Sequence, residues 1–324
     1  VLIVVPTTSL VEQMYKDFEE YGWMASKYCH KIYAGQEKYT EMDVVITTWQ
    51  SVYKEPRKWF EGFDVVIGDE AHLFKAKSLT SLMSKLHECK YRVGFTGTLD
   101  GTETNQLVLE GLFGRCSQVT KTKDLMKRGQ IADLEVKVLV LKHDYISFES
   151  YQDEMEYIVQ CEKRNWFIKN LVRDLKGNTL VLFNYVEKHG EPLFELLNRS
   201  IDRPVYLVHG GVDTEDREEI RALTEQSNES IIVASYGTFS TGINIKNLHN
   251  VIFASPSKSR VRNLQSIGRV LRKGDNKSQA TLYDIADDIS RNNFRNYTLN
   301  HLFERVKVYN EEKFDYEIID VKLR

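Results

Sequence analysis

Val65-Val66-Ile67-Gly68-Asp69-Glu70-Ala71-His72 carries the sharpest chemical signal in the chain: an apolar run that ends in two adjacent carboxylates. A carboxylate at the C-terminal end of a strand can hold Mg²⁺, mainly through the ion's waters, and its neighbour can orient an attacking water. Asp69 suits the first task and Glu70 the second; an ordinary acidic strand-to-loop pair is the plain alternative. Thr96-Gly97-Thr98 follows another strand pattern, 24 residues past His72. Its hydroxyls could link a phosphate site to a second surface, or merely bond within a Gly turn.

The second half has its own candidates. Gln265, Arg269 and Arg272 stand at i, i+4 and i+7, so a helix over 261–272 would place them on one face. Two guanidiniums there suit the charge that develops on a transferring phosphoryl group; a solvated basic face is the bland reading. Residues 258–277 hold seven Lys/Arg against one Asp, a local +6 inside a chain of net charge −3. Lys258, Arg260 and Arg262 precede the Gln-to-Arg face and are candidates for nucleic-acid phosphates. The stretch 234–245, with Ser235, Thr238, Thr241, Gly242 and Asn244, reads as a Gly- and hydroxyl-rich loop able to bring backbone N–H groups against phosphates. Pro6-Thr7-Thr8 and Thr47-Thr48 each put hydroxyls at a strand end beside a helix start, a site for phosphate contact.

The elements that must position these groups alternate throughout. β-branched apolar runs at 1–5, 31–33, 44–47, 64–68 and 92–96 are separated by helical patterns, the mark of βα units and a parallel sheet. Ser9 and Glu12 have capping-box spacing for the first helix. The alternation repeats with strands at 136–142, 179–183, 205–208, 230–234, 251–254 and 280–283, and helices at 148–175, 187–198, 214–226, 261–272 and 287–308. A crossing near 116–120 divides the 324 residues into two α/β domains, 1–117 and 118–324.

Composition narrows the class. At 42% hydrophobic and 28% charged residues the chain is neither collagen-like nor disordered. No apolar run reaches the roughly 18 residues of a membrane span, and 1–5 is too short for a signal peptide. Cys29, Cys89, Cys116 and Cys161 form no CxxC pair, which argues against a zinc site or disulfide framework and for a reducing compartment. His30, His87, His143, His189, His249 and His301 share no metal spacing and are assigned no role.

Taken in order, these strings resemble the two RecA-like lobes of superfamily 2 helicases of DEAH-box type. Residues 4–13 look like motif Ia, 46–51 like Ib, 68–72 like II and 95–98 like III. Residues 179–185 look like motif IV, 235–245 like V and 265–272 like VI. The run 114–134 is most similar to the phage UvsW and RecG-like helicases, which remodel forks, four-way junctions and R-loops in recombination, repair and replication. The resemblance implies ATP and Mg²⁺ as cofactors, with Asp69 and Glu70 as the metal and water-orienting carboxylates. It implies that His72 and Gln265 couple the lobes around the nucleotide, and that Arg269 and Arg272 reach its γ-phosphate. Gly242 and Asn244 would lie near the nucleotide; Asn244 stands where many members carry Asp. Pro6, Thr7, Thr48, Thr96, Thr98, Ser235, Thr238 and Thr241 would face nucleic acid. The implied partner is branched or junction DNA, with RNA in hybrids, bound by a monomer in the cytoplasm of a phage-infected or bacterial cell.

One element of the family is missing: no G-x-x-x-x-G-K-[ST] occurs in the 324 residues. In the family it precedes motif Ia, so it is expected before Val1, and its strand is expected in the middle of the first sheet. Without it, residues 1–115 should leave a gap lined by unpaired backbone groups, the first lobe should not fold fully, and the chain alone should not hydrolyse ATP. An RNA helicase, a restriction-type translocase and a non-catalytic nucleic-acid-binding protein are the competing readings.

Overall fold

The β-branched runs become strands, and every ladder between them is parallel. The computed structural model describes residues 1–33, 35–99, 103–242, 245–273, 277–291 and 295–323. Two units emerge, Val1–Gln118 and Val119–Arg324. Among the described residues no helix is long and apolar enough to cross a membrane.

The first unit runs β1 (Leu2–Val5), α1 (Thr8–Glu20), α2 (Ala25–Tyr28), β2 (Cys29–Ile32), β3 (Val44–Thr48), α3 (Trp49–Val52), α4 (Arg57–Phe60), β4 (Val65–Gly68), a short 3-10 helix (Ala71–Lys75), α5 (Lys77–Lys85), β5 (Tyr91–Gly94) and α6 (Glu103–Phe113). Among the described residues its strands lie in the order β2-β3-β1-β4-β5. Leu2, Val4 and Val66 pack one face against Phe60, Phe74, Leu82 and Leu86. Ile3, Val5 and Ile46 pack the other against Val11 and the half-buried Met14 and Phe18 of α1. The expected gap is not there. β1 sits directly between β3 and β4, so the inner ladders are continuous. The exposed edge is β5, which carries exposed Tyr91 and Val93 and leads into exposed Phe95.

The start of α1 also differs from expectation. Thr7, not Ser9, is the cap: its extended backbone precedes the helix and its Oγ1 accepts the Leu10 N–H at 3.4 Å. Glu12 instead turns to β2, where its carboxylate accepts from Lys31 Nζ at 2.9 Å and from the Tyr33 hydroxyl.

The second unit contains α7 (Thr122–Lys127), β6 (Asp133–Lys142), α8 (Tyr151–Gln160), α9 (Glu162–Asp174), β7 (Thr179–Phe183), a π-turn (Val186–Gly190), α10 (Glu191–Ser200), β8 (Val205–Val208), α11 (Thr214–Gln226), β9 (Ile231–Ser235), α12 (Tyr236–Gly242), β10 (Asn250–Phe253), α13 (Arg260–Val270), β11 (Gln279–Asp288), α14 (Tyr297–Glu312) and β12 (Asp315–Lys322). Among the described residues its strands follow the order β12-β6-β11-β10-β7-β9-β8, with apolar layers on both faces. Three expectations fail here. The helix expected over 148–175 breaks at Cys161, whose extended backbone closes α8 and opens α9. The helix expected from 287 begins only at Tyr297, because β11 continues to Asp288 beside the full length of β6. The phosphate loop expected over 234–245 contains a helix, α12, started by Ser235, whose Oγ accepts the Thr238 N–H at 3.3 Å.

α14 is held at its start from another element. Asn296, its cap residue, makes no side-chain cap bond of its own. The fully buried Glu154 of α8 replaces it, accepting from Asn296 Nδ2 (2.8 Å), the backbone N–H of Tyr297 (2.8 Å) and of Thr298 (2.7 Å), and Thr298 Oγ1 (2.6 Å). A carboxylate at a helix N-terminus satisfies orphan donors and complements the dipole. Truncating it leaves several buried donors unmade, so Glu154→Ala lowers stability by about 3 kcal/mol or more, and Glu154→Gln by less. Guanidinium unfolding measures both; an Ala variant within about 1 kcal/mol of wild type would remove Glu154 from this role.

Candidate active site

Parallel strands put all their C-terminal ends on one edge of a sheet, and the first unit's candidates sit there. Register pairs Val5 with Thr48, Val4 with Gly68 and Gly68 with Gly94, so Pro6, Thr7, Thr48, Asp69 and Phe95 follow neighbouring strand ends. The two glycines are packing requirements. A Cβ at Gly68 would meet Phe74 at 2.7 Å, and one at Gly94 would meet the Ala71 Cβ at 2.9 Å.

The chain turns sharply after β4. Asp69 N–H still donates to Val4 O at 3.0 Å, then Glu70 adopts a left-handed conformation (φ 48°, ψ 50°) and Ala71 N–H donates to Phe95 O at 2.8 Å. A left-handed Glu is a strained choice, worth roughly 1–2 kcal/mol, and such strain gathers at functional sites. The turn places two adjacent, half-buried carboxylates at the end of β4. His72 then joins the Asp-Glu-Ala-His string to the following strand: its Nδ1 lies 3.0 Å from Thr96 Oγ1 and 3.3 Å from Glu70 Oε2. Thr96 Oγ1 also accepts the Thr98 N–H at 3.3 Å and donates to Thr98 O at 3.0 Å. The two strings separated by 24 residues therefore form one hydrogen-bonded unit.

Not every candidate hydroxyl points outward. Thr48 is buried, its Oγ1 2.9 Å from Ser51 Oγ, and Thr98 is buried too. Thr7 is used as a helix cap and lies 3.1 Å from Ser9 Oγ.

In the second unit the strand ends again share an edge, with Phe183 in register with Ser235 and Leu182 with Phe253. Ser235 Oγ donates to Thr238 Oγ1 at 2.8 Å. Of Thr241 and Gly242 only the backbone, as part of α12, is described; Asn244 lies outside the described residues. After β10 the chain enters a loop from which α13 springs. Ser259 caps α13 through the Arg262 N–H at 3.4 Å. Arg305 of α14 fixes that loop: its Nη1 donates to Ser257 O at 3.1 Å while its Nε pairs with Asp284 Oδ2 at 2.8 Å, both side chains buried. Tyr309 donates to the same carboxylate oxygen at 2.8 Å. Arg305 and Asp284 were not legible as positioning residues, because residues 287–308 read as uninterrupted helix and hid the strand end.

Gln265 and Arg269 lie on α13, with Arg269 6.0 Å from the Phe239 ring. The helix stops at Val270, so Arg272 is exposed just beyond its end rather than on a third turn of one face. Lys277 explains the stop: its buried ammonium donates to the carbonyls of Val270 and, at 3.2 Å, Arg272, against the negative end of the helix dipole. The +6 segment is thus not one open patch. Lys277 is internal, and Arg260 pairs with Glu311 and, at 3.6 Å, Glu312. Lys258 and Arg262 remain exposed and line a cavity of about 460 Å³ with Asn184, Ser257, Tyr297 and His301. Asn184, whose Oδ1 accepts from Arg262 Nη1 at 3.3 Å, is a cavity residue the sequence reading did not single out; its place one residue past a strand was the available signal.

Burial pushes the Asp69 carboxyl above its ordinary range, with the nearby Glu70 charge adding to it, while the Glu70 N–H and His72 act in the opposite direction. A half-buried carboxylate at a strand end, short of positive neighbours, fits a hydrated divalent cation. Without one, its folded pKa lies above its unfolded value, so its stabilising contribution is present in acid and is lost as pH rises through the folded pKa. Asp69→Asn should therefore match wild type in acid, where Asp69 is protonated, and become progressively the more stable of the two as pH rises to 7. Thermal unfolding across that range checks it; a pH-independent difference would sink the assignment.

Comparison with known proteins agrees across both units. Residues 1–101 match the family model described as type III restriction enzyme, res subunit, and residues 162–274 match the helicase conserved C-terminal domain. The ATP-dependent DNA helicase uvsW of Enterobacteria phage T4 is 38% identical over 345 residues, covering 100% of this chain and 68% of that protein. A putative ATP-dependent RNA helicase, L396 of Acanthamoeba polyphaga mimivirus, is 24% identical over 268 residues, or 79% of this chain and 49% of its own length. The crystal structure of T4 UvsW superposes with a TM-score of 0.51 at 36% identity, covering 100% of this chain and 68% of that one. The type ISP restriction-modification enzyme LlaBIII bound to DNA gives a TM-score of 0.70 at 16% identity, covering 100% and 28%, a likeness of fold.

Proposed function

This chain belongs to the superfamily 2 ATP-dependent helicases, in the family of phage T4 UvsW, and from that premise we propose that it is the motor of a DNA helicase that remodels branched DNA. The observation that carries the reading is the strained Asp69-Glu70 turn at the end of β4, tied through His72 to Thr96. Asp69 is the residue that would hold Mg²⁺, and the ion would supply neutralisation of phosphate charge. Glu70 orients the attacking water and accepts its proton, a task suited to a carboxylate fixed at a strand end by a left-handed turn. The His72–Thr96 bond carries a change at the carboxylates to the Thr96-Gly97-Thr98 loop, which is proposed to lie toward nucleic acid.

In the second unit Gln265, Arg269 and Arg272 serve the triphosphate, with Gly242 and Asn244 nearby. Ser235, Thr238, Thr241, Lys258, Arg260 and Arg262 serve the DNA backbone, together with Pro6, Thr7, Thr48 and Thr98 of the first. The exposed Lys258 and Arg262 are the strongest of these, because both line the cavity beside Asn184, whereas Arg260 is paired with Glu311 and Glu312. Forks, four-way junctions and R-loops are the proposed substrates, in a monomer acting in the cytoplasm of the infected or bacterial cell.

The test uses protein in which this chain is joined to a G-x-x-x-x-G-K-[ST] element. Glu70→Gln should cut DNA-stimulated ATP turnover at least 100-fold, within the usual range for general-base catalysis, while ATP binding persists. Turnover within tenfold of wild type would take Glu70 out of the mechanism.

A further inference from the structure

The cavity that Lys258 and Arg262 line also carries three rings, which phosphate contact alone leaves without a task. Its volume of about 460 Å³ falls within the roughly 300–1,000 Å³ of small-molecule sites. Tyr151 of α8 and Tyr297 and His301 of α14 share the lining with the two cations, and no carboxylate is among the lining residues. The Tyr151 ring centre lies 5.2 Å from that of His301 at 52° and 6.5 Å from that of Tyr297 at 81°, so neither pair stacks flat. Tyr297 is 40% exposed, which leaves its ring open to a further planar partner.

The walls are tied to the framework of the unit. Glu154 holds the backbone N–H of Tyr297, and Ser150 caps α8 beside Tyr151 by accepting the Asp153 N–H at 3.2 Å. Asn184 donates from Nδ2 to Pro256 O and from its backbone N–H to Ser255 Oγ, both at 3.2 Å. The Ser257 carbonyl is held by Arg305, and Ser257 Oγ accepts the Ser259 N–H at 3.3 Å. Arg262 is steered as well: its Nη1 donates to Asn184 Oδ1, and its guanidinium lies 5.9 Å from the Tyr236 ring. Burial, aided by the charges of Arg305 and Lys258 and opposed by Glu154 and Glu304, holds His301 below its ordinary range, so its ring is uncharged at pH 7. A cavity built this firmly loses little freedom when a ligand enters.

We propose that this cavity is a nucleotide pocket, which takes one unstacked base of the DNA strand whose phosphates Lys258 and Arg262 hold. The proposal rests on the reading of those two cations as DNA contacts and adds the base to it. A phosphate alone needs neither the volume nor the rings. A cationic ligand would meet two like charges and no carboxylate, and an apolar one would leave both cations unmatched. A nucleotide supplies an anion for Lys258 and Arg262 and a flat π-face for Tyr297. Stacking of this kind tolerates any base, as a motor moving over arbitrary sequence requires. A base is most cheaply turned out where the strand is already single, as in the arm of a fork. His301 thus gains a role, as a flat wall of the pocket, that its lack of metal spacing had concealed.

The test uses protein containing the phosphate loop, without ATP, and fork DNA with an abasic residue stepped along its single-stranded arm. Wild type should lose affinity by roughly tenfold at one position of the abasic residue, and Tyr297→Ala should respond equally at all of them. On the intact fork Tyr297→Ala should bind about tenfold more weakly with an unchanged salt slope, while Tyr297→Phe, which keeps the ring, binds like wild type. Lys258→Ala should instead lower the slope by about one. Iododeoxyuridine at the sensitive position should photo-cross-link to a peptide containing Tyr151, Tyr297 or His301. No sensitive position, or full affinity in a Tyr297→Ala protein that keeps its unfolding transition, would overturn the pocket, and a reduced slope in Lys258→Ala would leave the phosphate reading standing. An unchanged slope in both Lys258→Ala and Arg262→Ala would take down the phosphate reading itself. Loss of the cross-link to micromolar dTMP would give the cavity to a free nucleotide and overturn the proposal.

Discussion

Parallel pairing of every strand is the constraint on which the rest depends. A parallel ladder delivers each strand's C-terminal end to the same edge, and loops leaving that edge can converge on one ligand. Thr7, Thr48, Asp69 and Thr96 are scattered over ninety residues of sequence yet follow four adjacent strands because β3, β1, β4 and β5 lie side by side. The price of such a sheet is that both faces must be covered, which explains why β1, β3, β7, β9 and β10 are apolar almost throughout.

Within that frame, buried charges position the second unit's functional helix. The Arg305–Asp284 pair spans α14 and β11 and reaches the Ser257 carbonyl, so the loop that opens α13 is fixed from behind. Lys277 closes the other end of the same helix. Such pairs contribute little net stability once desolvation is counted, but removing one partner leaves an uncompensated charge. Their effect is geometric: α13 is pinned at both ends, with Gln265 and Arg269 between the pins.

Local signals carried far in the sequence. Residues 179–183 and 205–208 are strands, and 214–226 is a helix, at the limits their patterns imply. What escaped was polar residues buried by distant partners. Asp284 and Asp287 look out of place in a strand until Arg305, Arg164 and His143 arrive from other elements. Glu154 looks like a surface residue of α8 until α14 docks on it. Thr7 took the cap position from Ser9 because α1 already begins at Thr8, two residues after β1 ends. The Asp-Glu-Ala-His string was legible as chemistry, but its strained backbone and its bond to Thr96 belong to the folded turn alone.

The central claim is that Arg269 and Arg272 serve ATP while Lys258, Arg260 and Arg262 hold the DNA. Arg269→Ala, in protein containing the phosphate loop, separates the two by measuring ATP turnover at saturating DNA together with the salt dependence of DNA affinity. The account predicts a fall in kcat of roughly 10³-fold or more, as loss of an arginine finger causes, with the salt slope unchanged. A full rate at saturating DNA, with the slope reduced by about one for the lost phosphate contact, would contradict it.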